Sequence, residues 1–234
     1  MIQYAIQKQI ALIQLDRPQK AHAYTQNMLL QLQRIYQEII GQCSVAVIYS
    51  EGHRAFCAGA DLNEMKTKKA EAALDLLSQK VFAQIASSPI VSIGVIHGPA
   101  IAGGFELALA CDLRVISENA IFSLPEVSLK LIPSAGGSTR LTALLGASIA
   151  KGVILGGKQI NAEEALRWGL AHQLVENPLA FARSWAEEIA QKDPLALRLA
   201  KSVINNPSLE NERLAEAILY ERKFNTDKGS SFKN

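Results

Sequence analysis

At 234 residues, 49% hydrophobic and 20% charged, the chain has the balance of an ordinary globular protein and can bury a sizeable core. Its 24 basic and 22 acidic residues leave a net charge of +2, which gives no electrostatic reason to bind nucleic acid. Cys43, Cys57 and Cys111 are odd in number and lack CxxC spacing, which disfavours both a disulfide framework and a zinc site.

The opening segment MIQYAIQKQIALIQLDRP has no basic start followed by an apolar core and a small-residue cleavage site. No run approaches the roughly 20 apolar residues of a membrane span. These features lead to the expectation of a soluble, cytoplasmic protein with no membrane or nucleic-acid partner. Residues 3–16 read as strand: IALIQL is rich in branched apolar residues and stops at Asp16-Arg17-Pro18. Met28, Leu29, Leu32, Ile35, Tyr36 and Ile39 then recur at helical spacing, and Gly41 closes that helix. A second strand spans residues 45–49. After the loop FCAGADLNEM comes a helix over residues 70–86, halted before Pro89; Lys66, Lys68 and Lys69, just ahead of it, read as a solvated helix end. A third strand over residues 90–96 meets Gly98-Pro99 and runs into the helix GGFELALAC. Asn161 to Glu164 has the form of a helix N-cap, with Gly169 as the matching stop. From Leu179 onward only helix is indicated, punctuated by Pro194 and Pro207. Alternating strands and helices imply an α/β core over residues 1–178, followed by a helical region over residues 179–234.

The segment HGPAIAGGFELALACD, residues 97–112, has the richest chemistry. Glycines where a strand turns into a helix let a ligand approach the backbone, and the first N–H groups of that helix have no internal partner. Such a place can hold a developing negative charge. Glu106 stands alone between Phe105 and LALAC; in apolar surroundings its neutral form is favoured, which suits proton transfer. The alternative is a glutamate facing solvent or satisfied by an arginine. A second carboxylate in apolar company, Glu126, lies in FSLPEVSLKLIPSAGGSTRL and precedes a glycine pair opening a helix; a solvated loop glutamate is the alternative there. In AFCAGADLNEM, Gly59 between two alanines suggests close approach of something to the backbone, or else a turn capped by Asp61.

Other motifs fail. GVILGGKQ resembles a phosphate-binding loop, but Gln159 replaces the metal-binding hydroxyl and helix precedes it. Gly98, Gly103 and Gly104 do not fit GxGxxG, and Ser138 lacks the closing glycine of a nucleophile elbow. His22, His53, His97 and His172 show no metal-ligand spacing, so they are expected to be structural or surface residues.

Taken in order, AFCAGADLNEM, HGPAIAGGFELALACD, FSLPEVSLKLIPSAGGSTRL and AEEALRWGL resemble the crotonase, or enoyl-CoA hydratase/isomerase, superfamily from Arg17 to about Thr226. The resemblance implies a spiral of ββα units capped by C-terminal helices that mediate trimerisation. It implies an oxyanion hole from the N–H groups of Ala60 and Gly103, and Glu106 and Glu126 as the catalytic carboxylates. Gln19, Lys20, Ala21, Ala58, Asp61 and Leu62 would hold coenzyme A, and Ser134 would stand beside the catalytic water. Coenzyme A would be part of the substrate, with no separate cofactor and no metal. Two glutamates imply an enoyl-CoA hydratase; an enoyl-CoA isomerase or other acyl-CoA enolate chemistry, and a non-catalytic CoA-binding or assembly subunit, are the alternatives. His22 replaces the usual Asn, Asn63 a common lysine and Ser134 the usual glycine, and the chain stops early, at KGSSFKN. The apolar positions Leu195, Leu197, Leu199, Val203, Ile204, Leu214, Ile218 and Leu219 exceed what a thin helical layer can bury alone, so a homotrimer or dimer of trimers is expected.

Overall fold

A computed structural model describes residues 1–52, 54–67 and 76–225. His53, Lys68, Lys69 and the KGSSFKN terminus therefore lie outside the described residues, as does the first part of the helix expected over residues 70–86. The N-terminal apolar stretch is not the single strand expected over residues 3–16. It doubles back as an antiparallel hairpin of β1 (Ile2–Gln7) and β2 (Ile10–Leu15), with Gln7 opposite Ile10. Lys8, at φ 56°, turns the chain. A two-residue turn made of Lys-Gln carries none of the Asn-Gly signal that marks a hairpin in sequence.

β3 (Val45–Ser50), β4 (Val91–Ile96), β6 (Leu113–Ile116) and β9 (Gln173–Leu174) extend this hairpin in parallel, giving the order β1-β2-β3-β4-β6-β9. A smaller sheet of order β5-β7-β8 is built from β5 (Ala100–Ile101), β7 (Ile121–Ser123) and β8 (Ile160–Asn161). The helices α4 (Gly103–Ala110) and α5 (Gly137–Ile154) follow β5 and β7. β4, β5 and α4, and then β6, β7 and α5, thus each lay one strand in the large sheet, one in the small sheet and then a helix. The spiral of ββα units implied by the resemblance is the observed architecture. Its short strands escape a sequence reading because two or three residues carry no measurable period.

Both faces of the large sheet are covered, which explains why β3 is buried at all six positions. Its inward residues, Ala46 and Ile48, pack with Ala11, Ile13 and Leu15 of β2 against α1 (Gln26–Ile39), α3 (Leu77–Ser87) and α4. The apolar stripe on α1 is the one its spacing predicts, from Met28 to Ile39, and Gly41 takes positive φ just beyond it. The outward residues Val45, Val47 and Tyr49 pack with Ile10, Leu12, Ile93, Val95 and Val115 against Ala182, Ala186 and Ile189 of α7 (Pro178–Ala190). α2 (Leu62–Thr67) is a short helix ahead of α3, and α6 (Ala162–Arg167) starts with a complete capping box between Asn161 and Glu164. Gly169 ends α6 at φ 77°. No helix among the described residues is long and apolar enough to cross a membrane.

α8 (Pro194–Asn205) and α9 (Leu209–Asn225) complete the chain. One buried cation ties α8 to the core. Lys201 Nζ donates to Asp112 Oδ2 at 2.7 Å and to the Ile90 carbonyl at 2.8 Å, and the same carboxylate oxygen accepts from Ser92 N and Oγ. Asp112 lies just past the last turn of α4, so α8 is fastened to the helix that carries Glu106. Removing one partner of such a pair leaves a charge unbalanced, at a typical cost of about 3–5 kcal/mol. Lys201→Met, which keeps the apolar stem, should therefore lower the urea midpoint by an amount equivalent to roughly 3 kcal/mol. An unchanged midpoint would show that the pair adds nothing to the fold.

Candidate active site

Three loops meet at the N-terminus of α4. The first contains Gly59 and Ala60. Tyr24 N donates to the Gly59 carbonyl at 2.8 Å and Asp61 N donates to the Tyr24 carbonyl at 2.9 Å, forming a parallel bridge around Ala60. Those flanking bonds turn the groups of Ala60 itself to the other side, and its N–H makes no hydrogen bond among the described residues. The second loop ends at Ala102, which takes φ 52° and ψ −126°. That conformation costs an alanine of order 1–3 kcal/mol, and it sets the orientation of the peptide bearing the Gly103 N–H. As the first residue of α4, Gly103 has no helical acceptor. A Cβ on Gly59, which holds φ 90°, would stand 3.2 Å from the Gly103 nitrogen, so the loop that carries Ala60 packs directly against the start of α4. A side chain on Gly103 would overlap the Tyr24 hydroxyl.

The third loop serves the carboxylates. All eight residues of α4 are buried, and Glu106 is only 3% exposed. Its Oε1 accepts hydrogen bonds from Ala135 N at 2.7 Å and Gly137 N at 2.8 Å. Burial pushes the Glu106 pKa up, while these two amides and the nearby Arg140 guanidinium oppose that shift. Its Oε2 makes no hydrogen bond among the described residues. The apolar surroundings expected of Glu106 are those observed, and neither form of the alternative holds: it does not face solvent, and amides rather than an arginine hydrogen-bond it. Glu126 opens a 3-10 turn (Glu126–Leu129) and is also buried, which sets aside the solvated alternative. Its Oε2 is buried without a partner among the described residues. Burial, with the neighbouring Glu106 charge adding to it, lifts the Glu126 pKa to about 7. Glu126 therefore lies within the field of Glu106. Ser134 is half-buried one residue before the Ala135 amide; its carbonyl accepts from Gln79 Nε2 on α3 at 2.9 Å.

Gln19, Lys20 and Ala21 form an outer rim. A 3-10 turn (Pro18–Lys20) exposes Gln19 and Lys20, and the Ala21 carbonyl accepts from Ala58 N at 3.0 Å. Leu62 is exposed beside them. The Asp61 carboxylate is held internally, by Arg17 at 2.6 Å and by Asn63 N at 2.8 Å, so it caps α2. His22 closes this rim. It is buried at φ 54°, a backbone region that His tolerates better than most residues. Its Nδ1 accepts from Arg17 N at 3.1 Å and its Nε2 lies 2.8 Å from the Glu51 carbonyl. His172 is likewise structural: its Nδ1 accepts from Arg114 N, and burial beside the Arg114 charge lowers its pKa to about 4.

Comparison with known proteins agrees with this arrangement. The enoyl-CoA hydratase/isomerase family profile matches residues 5–232. The chain belongs to that family. YngF of Bacillus subtilis (strain 168) is 40% identical over 220 residues, covering 92% of this chain and 84% of its own. The short-chain-enoyl-CoA hydratase of Clostridium acetobutylicum is 34% identical over 202 residues, with 84% and 77% covered. The crystal structure of an enoyl-CoA hydratase from Bacillus anthracis superposes with a TM-score of 0.88 at 34% identity, covering 94% of this chain and 89% of that one. The superfamily read from the four motifs is thus the one to which the chain belongs.

Within this family member, sequence reasoning passed over three residues of the site. Tyr24 packs edge-on against Phe82 at 5.8 Å, and its hydroxyl abuts Gly103; burial raises its pKa, so it stays protonated. Gln79 and Arg140 secure the Ser134–Gly137 loop from either side. Tyr24 and Gln79 act on segments distant in the chain, and Arg140, whose acceptor lies five residues back, acts on a loop whose shape is set by Glu106 of α4, so none has a local signal. Gly137 offers a direct test of the amide cradle. A Cβ there would stand 2.9 Å from both Glu106 Oε1 and Pro133 Cβ, so the carboxylate must leave its two donors. Alanine suits a first helical turn, so Gly137→Ala should fold, yet lose about 100-fold or more in turnover as expected for a misplaced general base. A folded variant with the wild-type rate would show that the cradle has no part in catalysis.

Proposed function

We propose that the protein is an enoyl-CoA hydratase that adds water across the 2,3 double bond of an enoyl-CoA thioester. The observation carrying this reading is the pair of buried carboxylates with opposite hydrogen bonding, one held by two amides and one with an unpartnered oxygen, together with two unpaired N–H groups. In the reaction, the thioester oxygen accepts from the N–H groups of Ala60 and Gly103. Two fixed donors stabilise the enolate that forms, and losing one typically costs about 100–1,000-fold. Glu106, its Oε1 held by amides, takes a proton from water through Oε2 while the water oxygen bonds to the β-carbon. Glu126, the carboxyl that retains its proton nearer neutrality, protonates the α-carbon as the enolate collapses. The proton gained by Glu106 and the one lost by Glu126 then re-equilibrate with solvent, and the net change is the addition of one water. No electron leaves or enters, so the step calls for no redox group, and coenzyme A is part of the substrate. Gln19, Lys20, Ala21, Ala58, Asp61 and Leu62 form the CoA side, Asp61 by shaping the turn, and Ser134 faces the attacking water.

A short enoyl-CoA in oxygen-labelled water should acquire label at its β-carbon. Glu106→Gln and Glu126→Gln should each lower kcat by about 100-fold or more with CoA-ester affinity unchanged, and the double variant should be scarcely worse than the slower single one. A moved double bond without label, with Glu106→Gln still active, would instead identify an isomerase.

We further propose that residues 1–178 hold the CoA site and that the helices of residues 179–234 join copies into a trimer or dimer of trimers. Ile204, Leu209, Leu214, Ile218 and Phe224 are exposed on α8 and α9, an apolar face that a single copy leaves in water. The free thiols Cys43, Cys57 and Cys111 support a reducing, cytoplasmic setting. Light scattering at micromolar concentration should give a mass of three or six chains; a monomeric mass would overturn the assembly.

A further inference from the structure

Arg140 is half-buried in the first turns of α5 and makes no ion pair among the described residues. Its side chain leans back over the helix N-terminus, as helical side chains do, and Nη1 donates to the Ala135 carbonyl at 2.9 Å. Gly136, at φ 102°, makes room for it: any Cβ there would overlap Nη1. Ala135 is therefore gripped at both ends, its N–H by Glu106 Oε1 and its carbonyl by Arg140. We infer that Arg140 is a positioning residue for the hydration: its guanidinium locks the loop that cradles Glu106 and supplies the fixed positive charge that this carboxylate faces. The inference deepens the hydratase reading and rests on it for the identity of the reaction.

The charge matters because, among the described residues, the other groups around Glu106 do not supply it. Glu126 presents a second carboxyl from the 3-10 turn, and Tyr24 presents a neutral hydroxyl. On α3, Lys80 is exposed, and Ser78 and Gln79 are uncharged. Arg114 caps the opposite end of α4, donating to the carbonyls of Ala108 and Cys111. The buried Cys111 thiol also lies in the field of Arg140, but burial lifts its pKa to about 12 and it stays neutral. Among the described residues, Arg140 is thus the cation that joins the Gly137 and Ala135 amides in opposing the burial of Glu106. A guanidinium keeps its charge across the working pH range, so the bias is permanent.

The test separates charge from shape. Arg140→Gln keeps a donor for the Ala135 carbonyl and loses the charge; Arg140→Lys keeps the charge and loses the planar fork. A base must be ionised, and removing a nearby cation disfavours the ionised form. The acid limb of kcat/KM for hydration should therefore move to higher pH in Arg140→Gln, costing about tenfold in rate below the limb for each pH unit of displacement. In Arg140→Lys the limb should stay in place although kcat falls. Carboxyl-carbon NMR of Glu106, assigned by its loss in Glu106→Gln, should show the same displacement without any turnover. A folded Arg140→Gln whose Glu106 titrates as in the wild type overturns the inference, even if activity is lost at every pH. Absence of hydration by the wild type would overturn the hydratase reading, while the NMR titration would still decide the role of Arg140. If neither Arg140→Gln nor Arg140→Met folds while Arg140→Lys does, the charge serves the fold and the assignment is withdrawn.

Discussion

A carboxylate inside a helix with no solvent face survives only if something else satisfies it. In α4 that condition falls on Glu106, and the two N–H groups of Ala135 and Gly137 meet it at 2.7 and 2.8 Å. Two charge-assisted bonds of this kind are roughly twice as strong as neutral ones, and they offset a burial that would otherwise neutralise the group. Much of the local architecture follows from keeping them. Gly137 cannot bear a side chain, Gly136 leaves space for Arg140, and Gln79 holds the Ser134 carbonyl. The same helix leaves its first N–H, at Gly103, without a helical acceptor, so one element carries both that donor and the Glu106 carboxylate.

The layered sheet makes this helix rigid. α4 lies against the inner face of the large sheet with α1 and α3, while α7 covers the outer face. Its C-terminal end is secured twice, by the Arg114 guanidinium on the Ala108 and Cys111 carbonyls and by the Lys201–Asp112 pair reaching from α8. Charges at a helix C-terminus are favourable when positive, so Arg114 also balances the dipole whose other end lies at Gly103. α8 is therefore tied directly to the helix that carries Glu106.

The two carboxyls illustrate how surroundings divide labour between identical groups. Burial acts on both in the same direction. Glu106 has two amides and a nearby cation, whereas Glu126 has a buried oxygen without a partner and a carboxylate neighbour. The difference lies wholly in what faces them, and it leaves Glu126 the carboxyl that holds its proton nearer neutrality.

Sequence by itself determined the elements with strong local codes. The α1 stripe from Met28 to Ile39, the Asn161 cap, the Gly169 stop and the proline-started α7 and α8 are all written in neighbouring residues, and the four ordered motifs led to the superfamily. The isolation of Glu106 and Glu126 among apolar residues was legible for the same reason, since burial of a whole segment shows in its composition. Tertiary structure alone decided the rest. The Lys8 hairpin and the two- and three-residue strands lack a periodic signal and exist only because partners lie beside them. The contact of Asp61 with Arg17, the contact of His22 with the Glu51 carbonyl where an amide was expected, and the grip of Gln79 on Ser134 each join segments distant in the chain. Local sequence encodes what a residue can do within one turn of helix or one strand; which donor meets which acceptor across such distances is fixed only when the sheet and helices pack.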